Sequence, residues 1–120
     1  METIIYTRCA SSLNSSMVIK DQIEKCKKCA QIERASQITT LSDHPMSGNT
    51  PLTERLGGRA LLSAIKLQAV DLIIIENFER LSRNSIELET IIRQIELQNI
   101  SLICITGSQN EGSYLRSLLK

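Results

Sequence analysis

The chain has 120 residues, a formal net charge of +1 at pH 7, and 42% hydrophobic residues. These values fit one packed domain and exclude both a disordered chain and a two-domain protein. A near-neutral charge also argues against a free-standing, strongly DNA-binding module, which would carry a basic excess. The sequence shows neither a membrane-length apolar run nor a signal-peptide pattern, so we expect a cytoplasmic protein without membrane contact.

The first half of the chain predicts a strand, a helix and a second strand. Residues 2–7 are a short β-branched apolar run typical of a strand, and residues 9–16 are small and polar as in a loop. From Met17 onwards, apolar residues recur at helical spacing. Residues 34–41 predict a weaker strand, and residues 42–54 a long loop of the kind that is often functional.

The middle of the chain continues with a helix and a buried strand. The pattern predicts a helix over 55–68, whose start Gly57 and Gly58 weaken. Residues 70–75 are apolar apart from Asp71, which is typical of a central strand buried on both faces.

The last third predicts one more helix and strand. Residues 85–98 are amphipathic, and Asn84 followed by Glu87 indicates a variant of the capping box at the helix start. Residues 100–105 predict another buried strand, and residues 114–120 predict the beginning of a further helix.

Strands that alternate with helices at this spacing indicate an α/β fold. We therefore expect a single domain with a mostly parallel, open sheet of about four to five strands and helices on both faces. In such sheets, functional sites gather beyond the carboxyl ends of the strands.

Cys26 and Cys29 have the spacing of a metal or redox pair. A zinc site would need a second pair of ligands, and the only histidine is His44. Cys26 also fits the apolar stripe of the first helix, so we interpret the cysteines as reduced structural thiols and expect no metal.

Three short motifs follow one another in a specific order. They are Tyr6-Thr7-Arg8-Cys9-Ala10, then Ser47-Gly48, then Glu79-Arg80-Leu81-Ser82-Arg83. Together they resemble the catalytic domain of the serine recombinases, the resolvase and invertase family that includes the large serine integrases. That family has Tyr-x-Arg-x-Ser after its first strand and Asp-Arg-Leu-x-Arg after its third, and the resemblance covers nearly all 120 residues.

The resemblance implies a resolvase-like fold and DNA strand cleavage and exchange through a phosphoserine link, without a metal or other cofactor. It places the protein among recombinases of transposons and phages, with the DNA phosphodiester backbone as its partner. Carried over by position, Arg8, Arg80 and Arg83 would be catalytic arginines that bind phosphate, Ser47 would be the active-site serine of the Ser-Gly loop, and Tyr6 and Gln22 would support them.

One further catalytic arginine is expected just before the second helix. Arg55 and Arg59 compete for this role because the loop length does not settle the register. The segment that begins at Arg59 matches the family's helix start better, so Arg59 is the first choice and Arg55 the alternative.

Two positions depart from the family pattern. Ala10 stands where the nucleophilic serine is expected, and alanine has no hydroxyl. Ser11 is adjacent, but neighbouring residues of a strand point to opposite faces. Glu79 replaces the family's aspartate and adds a methylene. Three explanations remain open: natural divergence, an engineered block of cleavage, and rescue by Ser11. We expect no cleavage by this chain.

The resemblance also implies which part of a family member residues 1–120 correspond to. Family members continue into a long dimerisation helix and a separate DNA-binding region, of which residues 113–120 would be only the start. We therefore interpret residues 1–120 as the catalytic domain with a truncated final helix. We expect a monomer or weak dimer, whereas the full-length protein would self-associate.

Other functional classes fit the sequence less well. A receiver-like domain needs acidic residues at its strand ends to hold a divalent ion, whereas this chain has Arg8 and Arg80 there. A phosphate-binding loop motif is absent, and a hydrolase would have to use His44 from a proline-containing loop. The surviving alternative is a non-catalytic DNA- or protein-interaction domain on the recombinase fold.

Overall fold

The computed structural model describes residues 2–9, 15–43, 50–105 and 115–116. The elements, in chain order, are β1 Glu2–Arg8, α1 Ser15–Ile32, β2 Gln37–Asp43, α2 Leu56–Lys66, β3 Leu72–Ile75, α3 Ser85–Leu97, β4 Ser101–Cys104 and β5 Leu115–Arg116. Two single 3₁₀ turns, Leu52–Glu54 and Phe78–Arg80, precede α2 and follow β3. None of the described helices is long and apolar enough to cross a membrane.

The strands form one sheet in the order β2-β1-β3-β4-β5. The first four strands are parallel, and β5 is antiparallel to β4. Successive side chains of each strand point to opposite faces. Ile4 and Tyr6 therefore pack with α2 and α3 on one face, while Ile5 packs with Cys26 of α1 on the other. The predicted α/β fold, with a mostly parallel sheet and helices on both faces, is confirmed.

The prediction of a helix over 114–120 is wrong at the two positions that the structure describes there. Leu115 and Arg116 pair with Cys104 and Ile103 as β5. Without this strand, β4 would leave a row of backbone N–H and C=O groups unpaired along one side. Pairing of β5 with β4 provides hydrogen-bond partners for those groups. The helical pattern of the local sequence does not predict this pairing, because it depends on a neighbouring strand.

The second strand begins and ends later than its sequence pattern predicted. β2 is the edge strand, and Gln37, Ile38, Thr39 and Thr40 are exposed. An edge strand buries few side chains, so its apolar pattern is weak. The residues at which it begins and ends are therefore hard to predict from the sequence. Two residues assigned to the following loop, Ser42 and Asp43, belong to β2 and pair with β1.

Half of the predicted capping box at α3 forms. The Asn84 side chain accepts hydrogen bonds from the backbone N–H groups of Ile86 and Glu87 at 2.9 and 3.0 Å. The Glu87 carboxylate accepts instead from the backbone N–H of Leu52 at 3.0 Å. Glu87 thereby joins the start of α3 to the turn before α2.

Each long helix ends at a residue with left-handed backbone that is not glycine. Arg34, Gln68 and Asn99 have φ angles of 58°, 55° and 59°. The N–H group of the residue after each one bonds back into the last helical turn, as Ala35 does to the Ala30 carbonyl at 2.9 Å. This is the termination at which glycine is usually favoured, because a Cβ atom is strained there.

We expect Arg34→Gly to raise the free energy of unfolding by about 0.5–1 kcal/mol, because it relieves left-handed strain at an exposed position. The matched control is Lys28→Gly on the exposed face of α1, which should lower stability by about 0.7 kcal/mol. Urea unfolding followed by circular dichroism measures both changes. A loss of stability in both variants would contradict the assigned termination.

Candidate functional site

The sheet order reverses at β1, which has β2 on one side and β3 on the other. Helix α1 follows β1 onto one face, and α2 follows β2 onto the opposite face. The connections therefore diverge and leave a crevice beyond the carboxyl ends of β1 and β3, where open α/β sheets place their sites. Arg8 ends β1, and Glu76 directly follows β3.

Arg8 is fully buried at this edge. Its Nη2 atom donates a hydrogen bond to the backbone carbonyl of Glu79 at 2.8 Å. The Gln22 side chain holds the Arg8 backbone from α1, accepting from its N–H at 3.2 Å and donating to its carbonyl at 2.8 Å. Gln22 therefore holds the backbone of Arg8 at the end of β1.

Four arginines converge at the crevice. Burial lowers the pKa of Arg8 to about 10, with further lowering from the positive charges of Arg55, Arg80 and Arg83 in that order. Arg8 thus remains protonated at neutral pH while repelled by three other guanidinium groups. Such an arrangement costs free energy unless negative charge compensates it, so it is typical of an anion-binding site.

A buried hydrogen-bond network fixes the position of Arg55. The Tyr6 hydroxyl donates to Asp43 Oδ2 at 2.6 Å and accepts from Arg55 Nη1 at 3.0 Å. Arg55 also donates to the backbone carbonyl of Thr50 through Nε at 3.0 Å and to that of Arg80 through Nη1 at 2.9 Å. The network joins β1, β2, the start of α2 and the turn after β3.

The Asp43 carboxylate also caps α2. It accepts from the backbone N–H of Gly57 through Oδ1 at 2.7 Å and from that of Gly58 through Oδ2 at 2.9 Å. A Cβ atom at Gly57 would lie 2.8 Å from Asp43 Oδ2, and one at Gly58 would lie 2.4 Å from the Leu52 carbonyl oxygen. The two glycines therefore permit the close approach that ties α2 to the site.

The structure separates the two arginines that competed for the position before α2. Arg55 is fully buried within the network, whereas Arg59 is exposed on the first turn of α2. Arg55, the alternative of the two, is therefore the one that lies beside Tyr6 at the crevice. Loop length could not decide this, because the choice depends on the tertiary contact between Tyr6 and Arg55.

Arg80 lies against a carboxylate that the motifs do not include. Its Nε and Nη2 atoms donate to Glu76 Oε1 at 3.2 and 2.7 Å, and Lys25 Nζ donates to Glu76 Oε2 at 3.2 Å. Glu76 and Arg80 border a cavity of about 370 Å³, which Gln22 also lines. Its lining residues are Met17, Val18, Asp21, Gln22, Glu76 and Arg80.

Glu79 and Arg83 occupy the outer rim of the crevice. Their side chains are 65% and 47% exposed, and Arg83 Nε lies 4.0 Å from Glu79 Oε2. An exposed pair at that distance contributes little to stability. The backbone of Glu79 is more important than its carboxylate, because its carbonyl holds Arg8.

Several predicted residues lie outside the part of the chain that the structure describes. They are Ala10, Ser11, Ser47 and His44. Cys26 and Cys29 lie in the core between α1 and the sheet, and burial raises the pKa of Cys26 to about 12. Among the described residues, no group of three or more His, Cys, Asp or Glu side chains could hold a metal ion.

Two site residues were missed by the sequence analysis. Asp43 falls in the segment predicted as a loop, and Glu76 lies before the third motif. Both are acidic residues at or just after the carboxyl end of a strand, next to predicted arginines. That position was the available signal, because carboxylates near converging arginines orient them.

We expect Tyr6 to stay protonated well above pH 10 in the folded protein. Burial, together with the hydrogen bond to Asp43, raises its pKa beyond the usual value near 10, and Arg55 opposes this only in part. Because the folded pKa exceeds the unfolded one, the stability that Tyr6 contributes persists below about pH 10 and is lost as pH rises further. Half-ionisation near pH 10 in the ultraviolet difference titration between wild type and Tyr6→Phe would contradict the buried network.

Comparison with solved structures gives the same fold. The catalytic domain of ISC1926 TnpA, an IS607-like serine recombinase, is 22% identical, with 92% of this chain and 71% of that chain covered and a TM-score of 0.79. The N-terminal catalytic domain of TP901-1 integrase is 24% identical, with 87% of this chain and 77% of that chain covered and a TM-score of 0.73. A resolvase family site-specific recombinase from Streptococcus pneumoniae is 19% identical, with 92% of this chain and 78% of that chain covered and a TM-score of 0.67. At these identities the likeness shows the fold alone.

Sequence comparison adds the family. Direct comparison with curated proteins gives no significant match. The family profile described as "Resolvase, N terminal domain", however, matches residues 3–119, which is nearly the whole chain. The motifs, the parallel sheet and this match agree, and the chain therefore belongs to the resolvase N-terminal domain family, whose fold is that of the serine recombinase catalytic domains.

Proposed function

We propose that this domain binds the DNA phosphodiester backbone at the crevice where Arg8, Arg55, Arg80 and Arg83 lie, and does not cleave it. The carrying observation is that Arg8 and Arg55 both bond to the turn after β3, through the carbonyls of Glu79 and Arg80, and that Arg80 and Arg83 follow on the same segment. Guanidinium groups hold phosphate oxygens through paired hydrogen bonds and keep their charge at neutral pH.

The buried network supports this assignment because it fixes the arginines before any ligand arrives. Arg8 is held by Gln22 and by the Glu79 carbonyl, and Arg55 is held by Tyr6. Fixed positive charges stabilise a phosphodiester or its pentacoordinate transition state without reorganisation. In an active relative these groups would be catalytic, and here they serve binding. Ser47 would complete the crevice from its loop.

The absence of cleavage follows from Ala10, which stands where the family places its nucleophilic serine. A methyl group cannot attack phosphorus, so no nucleophile is available to form the phosphoserine link unless the Ser11 hydroxyl takes that role. The second candidate function is therefore a protein-interaction domain that keeps the recombinase fold. The arginines at the crevice favour the DNA-binding function, because guanidinium groups bind phosphate oxygens through paired hydrogen bonds.

Arg83 and Arg93 provide a matched test of the site. Each is an exposed arginine with a glutamate four residues earlier, at 4.0 Å from Glu79 and 3.4 Å from Glu89. Only Arg83 belongs to the arginines that lower the pKa of Arg8. We expect Arg83→Gln to weaken binding of a short DNA duplex about tenfold at low salt, and Arg93→Gln less than about twofold.

The salt dependence of the same titration provides the control. Loss of one phosphate contact should lower the slope of log K against log salt by about one in Arg83→Gln and leave it unchanged in Arg93→Gln. Equal losses of DNA affinity in the two variants would mean that DNA binds to exposed positive charge anywhere on the surface. The site assignment would then be wrong.

We also expect no covalent protein–DNA product from this chain. Incubation with a DNA substrate that traps the cleaved intermediate, followed by denaturing electrophoresis in SDS, should show no shifted band because Ala10 lacks the hydroxyl. A resistant band that disappears in Ser11→Ala would contradict the non-cleaving assignment and identify Ser11 as the nucleophile.

A further inference from the structure

Glu76 is a buried carboxylate in the wall of the cavity that Gln22 and Arg80 also line. Its side chain is 9% exposed. One carboxylate oxygen accepts from Arg80 and the other from Lys25. A negative charge thus borders the same space from which Arg80 would reach a ligand.

Among the described residues, the charged groups at this crevice almost balance. The five cations are Lys25, Arg8, Arg55, Arg80 and Arg83, and the four carboxylates are Asp21, Asp43, Glu76 and Glu79. Their formal sum is +1. A phosphodiester carries one negative charge, whereas a phosphate monoester carries nearly two above its second pKa near 6.

We propose that Glu76 shifts the selectivity of the site towards singly charged phosphodiesters and away from doubly charged phosphate groups. This inference rests on the proposed function above. The repulsion between Glu76 and a ligand grows with the ligand's charge, so a dianion is disfavoured twice as strongly as a monoanion. After solvent screening, we expect about a tenfold effect on affinity for each ligand charge.

The groups around Glu76 keep its carboxylate in place. Lys25 faces it from α1, and hydrogen bonds to Asp21 and then to Glu76 raise the pKa of that lysine. Arg80 faces it from the following turn, and the Cys104 thiol contacts its backbone carbonyl at 3.8 Å. With cations on both carboxylate oxygens, Glu76 acts on a ligand through its charge and its hold on Arg80.

Methyl phosphate and dimethyl phosphate are matched probes, because they differ by one methyl group and one charge. Their affinities for the full chain can be measured at low salt and pH 8 by nuclear magnetic resonance titration. We expect Glu76→Gln to raise the affinity for dimethyl phosphate about tenfold and for methyl phosphate about a hundredfold. The control Glu79→Gln removes an exposed carboxylate and should change the ratio of the two affinities less than about twofold.

Two further readouts separate selectivity from a structural role. At pH 5 methyl phosphate is singly charged, so the change in ratio caused by Glu76→Gln should disappear. Lys25→Gln removes an exposed cation that compensates Glu76, so it should shift the ratio in the opposite direction without unfolding the domain.

Equal effects on the two ligands, or a ratio shift that survives at pH 5, would overturn the inference and leave Glu76 as an anchor for Arg80. In that case the wild-type chain would still bind dimethyl phosphate and DNA. Absence of any binding by the wild type would instead overturn the proposed function, and the inference with it.

Discussion

The Asp43 carboxylate connects the fold to the site more directly than any other group described here. It accepts hydrogen bonds from the Tyr6 hydroxyl and from two backbone N–H groups at the start of α2. A carboxylate is well suited to a helix N-terminus, where unpaired N–H groups and the helix dipole favour negative charge. Because Arg55 precedes α2 and bonds to Tyr6, the position of that arginine depends on this contact.

The site works against the stability of the domain. Arg8 is buried among like charges, and its lowered pKa means that the folded state holds the protonated guanidinium less readily than the unfolded state does. The difference opposes folding throughout the neutral range, where both states are protonated, and fades only as pH rises towards 10 and beyond. An anion in the crevice would offset the repulsion among the arginines, so ligand binding and stability should rise together.

The sequence predicted the fold because buried parallel strands such as β3 have a strong apolar signature. It failed at β2 and β5, which lie at the edges of the sheet and form through pairing with a neighbour. At the site, the motifs place Arg8, Arg80 and Arg83 after strand ends, and the structure brings them to one edge of the sheet. The motifs could not choose Arg55 over Arg59 or find Asp43 and Glu76, since those roles arise from contacts between distant segments.

The proposed function requires the phosphodiester backbone to lie at the crevice formed by Arg8, Arg80 and Arg83. Nuclear magnetic resonance of ¹⁵N-arginine side chains, recorded while a short blunt DNA duplex is added, tests this most directly. We predict shifts of the guanidinium signals of these three residues, with that of Arg93 unchanged. Shifts confined to Arg93 and other exposed arginines outside the crevice would contradict the account.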